Sequence, residues 1–170
     1  MSTLPEWASS LAGSRILIVD DVEDNRVVFD RNLRRAGFKT TLCADGAEAI
    51  AKVSADPPDL VLLDWMMPGL GGMETLKAIR EHYDPNQLPV IMCTARDEES
   101  SIIGAIDAGA NDYVQKPIKV PVLLARIIAQ LMRKVAVEAL DAVNRDLENT
   151  LAQRTRELFA SQGNREGPVK

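Results

Sequence analysis

Short runs that are apolar at almost every position alternate along this chain with longer segments of helical periodicity. Runs such as "RILIVD", "DLVLLD" and "LPVIMCT" have the continuous apolar character of strands that are covered on both faces. The longer segments carry apolar residues three or four positions apart and end near glycine or proline. The predicted strands are residues 15–20, 38–44, 59–64, 88–94 and 112–115. The predicted helices are residues 23–36, 45–55, 72–83 and 97–110, and a last one that begins near Pro121.

Strands that alternate with helices in this way predict an α/β fold with a parallel sheet, because the helices must cross over between strands that run in the same direction. We therefore expect a doubly wound five-stranded parallel sheet with the flavodoxin-like order 2-1-3-4-5. A long C-terminal helix follows, since the chain has no glycine or proline from residue 122 to residue 162.

The pattern divides the chain into four parts. Residues 1–14 mix small and turn-forming residues and are predicted to be an N-terminal tail. Residues 15–132 hold the complete α/β unit, and residues 133–162 form a helical extension. Residues 163–170 are predicted to be a disordered tail.

The helical extension carries a stripe of apolar residues at spacings of three and four, which Asn144 and Arg154 interrupt. A lone helix of this length is only marginally stable, so we expect a coiled coil and a homodimer. A helix that folds back onto its own domain is the alternative. The stripe consists of Leu140, Val143, Leu147, Leu151 and Leu158.

Composition limits the partners that this chain is expected to have. Hydrophobic residues make up 46% and charged residues 26%, which is enough for one sizeable core with an appendage. The net charge of −5 provides no basic field, so we expect no contact with nucleic acid and none with a membrane.

Cys43 and Cys93 lie in strand-like runs without metal-site spacing, which predicts buried free thiols and a cytoplasmic setting.

Side chains that can do chemistry collect where the predicted strands end. Ligands of such sheets bind outside the carboxyl ends of the strands. Strand one ends in Asp20 and Asp21, and strand three in Asp64. Strands four and five end in Thr94 and Lys116. Strands one and three are neighbours in the predicted order, so the three carboxylates should converge and need a counter-charge.

Carboxylates in this arrangement suit Mg²⁺, which binds one or two of them and keeps several waters. With Lys116 as a second cation and Thr94 as a hydroxyl donor, the site would stabilise a phosphoryl group during transfer. Asp64 ends a central strand and is the best-placed nucleophile for an aspartyl phosphate. The first turn, "DDVEDN", lacks the glycines of a nucleotide-binding turn. Helix N-capping is the alternative role for any one of these acids, but it does not explain the set.

The segments "ILIVDD", "DLVLLDWMMPGLGG", "VIMCTA" and "DYVQKP" together resemble the receiver domain of bacterial two-component response regulators, the CheY-like fold, over about residues 14–132. The resemblance implies that Asp64 accepts a phosphoryl group from a sensor histidine kinase or a phosphotransfer protein. It also implies that Asp21, Asp64 and the backbone carbonyl of Met66 bind Mg²⁺, while Asp20 holds a metal-bound water.

The same resemblance implies roles for residues on strands four and five. Lys116 would pair with the phosphoryl group and Thr94 would hydrogen-bond it. The peptide bond between Lys116 and Pro117 would be cis. Tyr113 would be the aromatic switch residue that moves inward with Thr94, although packing at a strand edge also explains an aromatic residue there.

Two side chains are predicted to tune the lifetime of the phosphoryl group. Met66 and Arg96 lie two residues after Asp64 and Thr94, respectively. In the family, residues at such positions control the access of water, so we predict that these two shield the acyl phosphate.

The resemblance implies a switch and not an enzyme: phosphorylation would change conformation and dimerisation, and could control an output module such as a cyclic-di-GMP enzyme or a kinase. Two alternatives stay open. A Mg²⁺-dependent phosphohydrolase with an aspartyl phosphate usually carries a second acid two residues after the nucleophile, where this chain has Met66. A phosphorylation-independent dimerisation scaffold would not need the five acidic, hydroxyl and lysine residues that this chain retains.

Overall fold

One sheet of five parallel strands organises the described part of the chain, which is residues 4–95 and 99–163 of a computed structural model. The strands are β1 (Arg15–Val19), β2 (Lys39–Cys43), β3 (Leu60–Asp64), β4 (Val90–Thr94) and β5 (Asp112–Gln115). The helices are α1 (Glu23–Arg35), α2 (Gly46–Ala55), α3 (Gly72–Arg80), α4 (Glu99–Asp107) and α5 (Val120–Gly163).

The strand order is β2-β1-β3-β4-β5, which confirms the predicted fold and order. The central strands are in register at their carboxyl ends: Val19 of β1 lies opposite Leu63 of β3. On the other side of β3, Asp64 lies opposite Cys93 of β4. The residues that follow β1 and end β3 and β4 are therefore level with one another at one edge of the sheet.

Each strand contributes alternate side chains to two separate apolar layers, because successive residues of a strand point to opposite faces. Ile16 and Ile18 of β1 join the layer that α1 and α5 cover. Leu17 and Val19 join the layer that α2 and α3 cover. This explains why the interior positions of the central strands are apolar. Cys43 and Cys93 are buried and free, as predicted.

The prediction of a tail over residues 1–14 was wrong for part of that segment. Residues Glu6–Leu11 form a 3₁₀ helix, and Ala8 and Leu11 are buried in the layer that also contains Phe38. Two turns of 3₁₀ helix, six residues in all, are too short to show a helical period in the sequence. The segment thus belongs to the core of the domain.

The chain divides into two compact units, Met1–Lys134 and Val135–Lys170, and this boundary lies two residues after the predicted one. Within the first unit, α5 packs against the sheet through Leu123, Ile127 and Leu131. In the second unit the predicted stripe residues are 56–65% exposed. They are Leu140, Val143, Leu147, Leu151 and Leu158.

The helix α5 includes Gly163, the first residue of the predicted disordered tail, and residues 164–170 lie outside the described residues. Of the helices described, none combines the length and the apolar character needed to cross a bilayer.

Candidate functional site

Three carboxylates converge at the carboxyl edge of the sheet. One oxygen from each of Asp20, Asp21 and Asp64 lies within 4.8 Å of the others. Asp20 and Asp64 are buried, whereas Asp21 is exposed. The register of β1 with β3 brings them together, because Asp20 directly follows the paired residue Val19. The structure thus places these three acids as the strand order predicted.

Lys116, which follows β5 at the same edge of the sheet, contacts two of these acids. Its ammonium nitrogen lies 2.9 Å from Oδ2 of Asp20 and 3.0 Å from Oδ2 of Asp64. The backbone N–H of Lys116 donates to the carbonyl oxygen of Thr94 at 2.7 Å, which fixes the end of β5 against β4. The peptide bond between Lys116 and Pro117 is cis, as the resemblance implied.

Burial and the contact between opposite charges shift the pKa values of Asp64 and Lys116 in opposite directions. Burial raises the pKa of Asp64, and the nearby charge of Asp20 adds to that rise, whereas the hydrogen bond from Lys116 lowers it. Burial disfavours the charged ammonium of Lys116, but its hydrogen bonds to Asp20 and Asp64 outweigh this and raise its pKa. The single charge of Lys116 compensates at most one of three carboxylates, so the cluster retains an affinity for cations.

The donor set fits Mg²⁺. Carboxylate oxygens are the ligands that this ion takes from proteins, and it keeps part of its water shell. The exposed side chain of Asp21 leaves one side of the cluster open to solvent. Asp20, Asp21 and Asp64 are therefore the residues that would hold the metal. The backbone carbonyl of Met66 as a further ligand stays a prediction.

Asn25 contacts the site, and no pattern in the sequence had pointed to it. Its side-chain nitrogen lies 3.1 Å from both carboxylate oxygens of Asp20. The N–H of Val22 donates to Oδ1 of Asp20 at 2.9 Å. The guanidinium of Arg26 donates to the backbone oxygen of Asp20 at 2.5 Å. The first turn of α1 thus folds back over the end of β1, a placement that has no periodic or motif signal in the sequence.

The loop after Asp64 is held close to the strand by glycine. A Cβ atom on Gly72 would lie 2.1 Å from the backbone oxygen of Asp64, so a larger residue cannot take this position without moving the strand end. The N–H of Gly72 donates to the carbonyl of Trp65 at 3.1 Å. Within the loop, the side chain of Met66 is 54% exposed, and its N–H lies 3.5 Å from Oδ1 of Asp64.

The two predicted switch residues lie on neighbouring strands. Thr94 is buried at the end of β4, one residue beyond the partner of Asp64. Tyr113 in β5 is half-buried and packs against the layer that α2 and α3 cover. The guanidinium of Arg126 lies 5.7 Å from the centre of its ring and 2.5 Å from Asp112. Arg96, predicted to shield the site, lies outside the described residues.

Comparison with known proteins gives consistent matches. A family model described as the response regulator receiver domain matches residues 16–128. The phosphate regulon transcriptional regulatory protein PhoB of Rhizobium meliloti (strain 1021) is 40% identical over 119 residues, which are 70% of this chain and 52% of that protein. The chain spans 52% to 64% of the length of the first curated relatives that it matches.

Solved structures show the same architecture. The receiver domain of the Francisella response regulator 1452 has a TM-score of 0.67 at 30% identity, over 71% of this chain and 98% of that one. A putative two-component system response regulator/GGDEF domain protein also has a TM-score of 0.67, at 28% identity, over 70% of this chain and 49% of that one.

Proposed function

Because this chain belongs to the family of response regulator receiver domains of two-component systems, we propose that Asp64 is its phosphoacceptor. The donor would be the phosphohistidine of a sensor histidine kinase or a phosphotransfer protein. The observation that carries the proposal is the meeting of Asp64 with two further carboxylates and the ammonium of Lys116. This arrangement can bind a cation and a phosphoryl group side by side.

The transfer itself follows from the positions of these groups. A carboxylate oxygen of Asp64 attacks phosphorus, so a P–O bond forms while the P–N bond of the donor breaks and the electron pair stays with the imidazole nitrogen. The ammonium of Lys116 lies beside the attacking carboxylate and balances charge on the phosphoryl oxygens. Thr94 supplies a hydroxyl donor at the end of the neighbouring strand.

Asp21, Asp64 and the Met66 carbonyl would bind Mg²⁺ directly, and Asp20 would hold the ion through a metal-bound water. When bound, the ion would neutralise negative charge on the phosphoryl group as it passes to Asp64. Burial of Asp20 and Asp64 strengthens these interactions, because water screens them less.

We propose a switch that turns over no external substrate. An aspartyl-phosphate phosphohydrolase would need an acid or base near the leaving group, and the residue two positions after Asp64 is Met66. A phosphorylation-independent scaffold would have no use for a buried Asp64 that pairs with Lys116. The phosphorylated state would be communicated through Thr94, Tyr113 and the helices that follow them.

We propose that the chain forms a homodimer through the helix of its second unit, and that dimerisation is the output of the switch. The five stripe residues occupy a series with spacings of 4, 3, 4, 4, 3 and 4 residues, in which Ala136 is the first position and Arg154 is the one polar interruption. Such spacings repeat every 11 residues, which is typical of helices that pair with a straight or slightly right-handed twist. Burial of this stripe against a second copy would remove five large apolar side chains per helix from water.

The downstream activity is a further proposal, since the chain spans only part of the length of its relatives. One relative is named a transcriptional regulatory protein, which supports a downstream output in transcription. One structural neighbour is described as a GGDEF domain protein, which supports a GGDEF domain as the output module. Our expectation that this chain does not contact nucleic acid stays a prediction, and these names do not support it. A cytoplasmic location and the absence of membrane contact likewise stay predictions.

Phosphoramidate, a small donor with a P–N bond, tests the phosphoacceptor. With Mg²⁺, we expect the intact mass of the wild-type chain to rise by one phosphoryl group. Asp64→Asn should show no gain, whereas Asp107→Asn, which alters an exposed acid at the end of α4, should gain as the wild type does. Continuous release of phosphate from a generic phosphate ester would favour the phosphohydrolase instead.

Sedimentation with and without beryllofluoride, which mimics an acyl phosphate, tests the output. We expect the reagent to change the mass of the wild-type assembly in the presence of Mg²⁺ and to leave Asp64→Ala unchanged. An identical mass in every condition would contradict a dimerisation switch.

A further inference from the structure

The carboxylate of Asp20 is held by groups from two separate parts of the chain. From α1, the side-chain nitrogen of Asn25 lies 3.1 Å from Oδ1 and 3.1 Å from Oδ2. From the end of β5, the ammonium of Lys116 lies 2.9 Å from Oδ2. The N–H of Val22 completes the set at 2.9 Å from Oδ1. The carboxylate is only 1% exposed, so these groups and not bulk water decide its orientation.

The amide of Asn25 must present its nitrogen to Asp20. The opposite orientation would place its carbonyl oxygen against two carboxylate oxygens, with no donor between them. A nitrogen that lies at equal distance from both oxygens restrains both of them at once. The terminal torsion of an aspartate is otherwise broad, so this contact removes a real freedom.

Lys116 contacts the same carboxylate, but through Oδ2 and not through both oxygens. Its ammonium also lies 3.0 Å from Oδ2 of Asp64, so it attracts both buried acids to itself. A carboxylate that turns fully onto Lys116 offers less negative charge to a metal ion beside Asp21. The contact with Asn25 opposes that rotation.

We propose that Asn25 is a positioning residue that holds the carboxylate of Asp20 against the attraction of Lys116 and so keeps the metal site formed by Asp20, Asp21 and Asp64 open. The inference rests on the proposed Mg²⁺ site and adds a residue from α1 to it. Removal of a group that hydrogen-bonds a residue of a metal site typically weakens metal binding by about 10–100-fold.

A purely structural role of Asn25 makes a different prediction. Val22, at the N-cap of α1, has no polar side chain, and the Asp20 carboxylate already accepts its N–H. If Asn25 only completed the hydrogen bonding of a buried acid, its removal would lower the free energy of unfolding and leave the affinity for Mg²⁺ unchanged.

Titration of the full chain with Mg²⁺, followed by the fluorescence of Trp65, separates the two roles. Trp65 directly follows Asp64, and a Trp7→Phe background makes it the only tryptophan. We expect Asn25→Ala and Asn25→Leu to raise the dissociation constant for Mg²⁺ by about tenfold or more. Asn32→Ala is the matched control, because Asn32 lies on the same helix and donates to the carbonyl of Val28, away from the site.

A double-mutant cycle tests the opposition to Lys116 directly. In a Lys116→Ala background the attraction of Lys116 for Asp20 is removed, so Asn25→Ala should change the dissociation constant far less than it does in the wild type. An equal effect in both backgrounds, or no effect in the wild type, would overturn the role assigned to Asn25. A wild-type chain that does not respond to Mg²⁺ would instead overturn the proposed metal site.

The unaltered protein gives an independent reading that does not depend on the folding of any variant. In an NMR titration, the side-chain amide resonances of Asn25 should shift on addition of Mg²⁺. The Mg²⁺ concentration at the midpoint of that shift should equal the midpoint of the change in Trp65 fluorescence. The corresponding resonances of Asn32 should stay in place. Resonances of Asn25 that do not respond while Trp65 does would contradict the inference.

Discussion

The ammonium nitrogen of Lys116 lies 3.0 Å from Oδ2 of Asp64. The contact crosses from the end of β5 to the end of β3 and is made while Lys116 also holds Asp20. Before transfer, Lys116 therefore competes with a metal ion for the same carboxylates. After transfer, its charge would face the phosphoryl oxygens instead.

Removal of this charge separates the two roles of Lys116. In Lys116→Met we expect tighter binding of Mg²⁺, because a competing cation is lost, and a fall of about 100-fold in the rate of phosphorylation, because a charged donor to the phosphoryl group is lost. Fluorescence titration and intact-mass kinetics measure the two effects. Lys77→Met removes an exposed lysine from α3 and should change neither. A Lys116→Met rate equal to that of the wild type would exclude Lys116 from the transfer.

Gly72→Ala tests the close approach of the loop to the strand end. The added Cβ would lie 2.1 Å from the backbone oxygen of Asp64, so we expect a loss of about 1–3 kcal/mol in the free energy of unfolding, and weaker Mg²⁺ binding. Gly104→Ala is the matched control in α4, where no atom of the described residues lies within 4 Å of the new Cβ. It should stabilise the chain by about 0.5–1 kcal/mol, since alanine is the better helix former. Urea denaturation of both variants measures these changes.

Met66→Asn tests the predicted shielding of the acyl phosphate. The methionine side chain lies in the loop beside Asp64 and is exposed, so a polar replacement should admit water to the phosphoryl group and shorten its lifetime several-fold. Loss of the phosphorylated mass with time measures it. Leu70→Asn, also in this loop and exposed, is the control and should leave the lifetime unchanged. An unaltered lifetime in Met66→Asn would remove this role.

Leu147→Asp tests the apolar stripe of the second unit. An unpaired carboxylate in an apolar interface costs several kcal/mol, so we expect the dissociation constant of the dimer to rise by at least about 100-fold. Asn149→Asp adds the same charge on the opposite side of the helix and should have little effect. Analytical ultracentrifugation compares the two variants. Equal sedimentation of both with the wild type would show that this stripe is not the interface.

The sequence predicted the strands and the acidic edge because both depend on local patterns. A strand covered on two faces must be apolar throughout, so Asp20 and Asp64 stand out at the point where β1 and β3 end. The order of the strands then brings the two acids together. Lys116 could be assigned to the same edge for the same reason, since it follows β5.

The contacts that the sequence did not predict depend on tertiary placement. Asn25 is one polar residue among several in the first turn of α1, and only the return of that turn over β1 brings it to Asp20. The 3₁₀ helix that contains Ala8 and Leu11 has only six residues, and no periodic pattern can reveal an element of that length. Its burial depends on the surface that Phe38 and the neighbouring helices provide.

Chemical trapping of the phosphoryl group tests the central claim most directly. Borohydride reduces an aspartyl phosphate at the carbonyl carbon, expels phosphate and leaves an alcohol at the modified residue. After treatment with phosphoramidate and Mg²⁺, we expect peptide mass spectrometry to locate that alcohol at Asp64. Reduction at Asp20, at Asp21 or at no residue, in a chain whose folding is intact, would contradict the assignment of Asp64 as the phosphoacceptor.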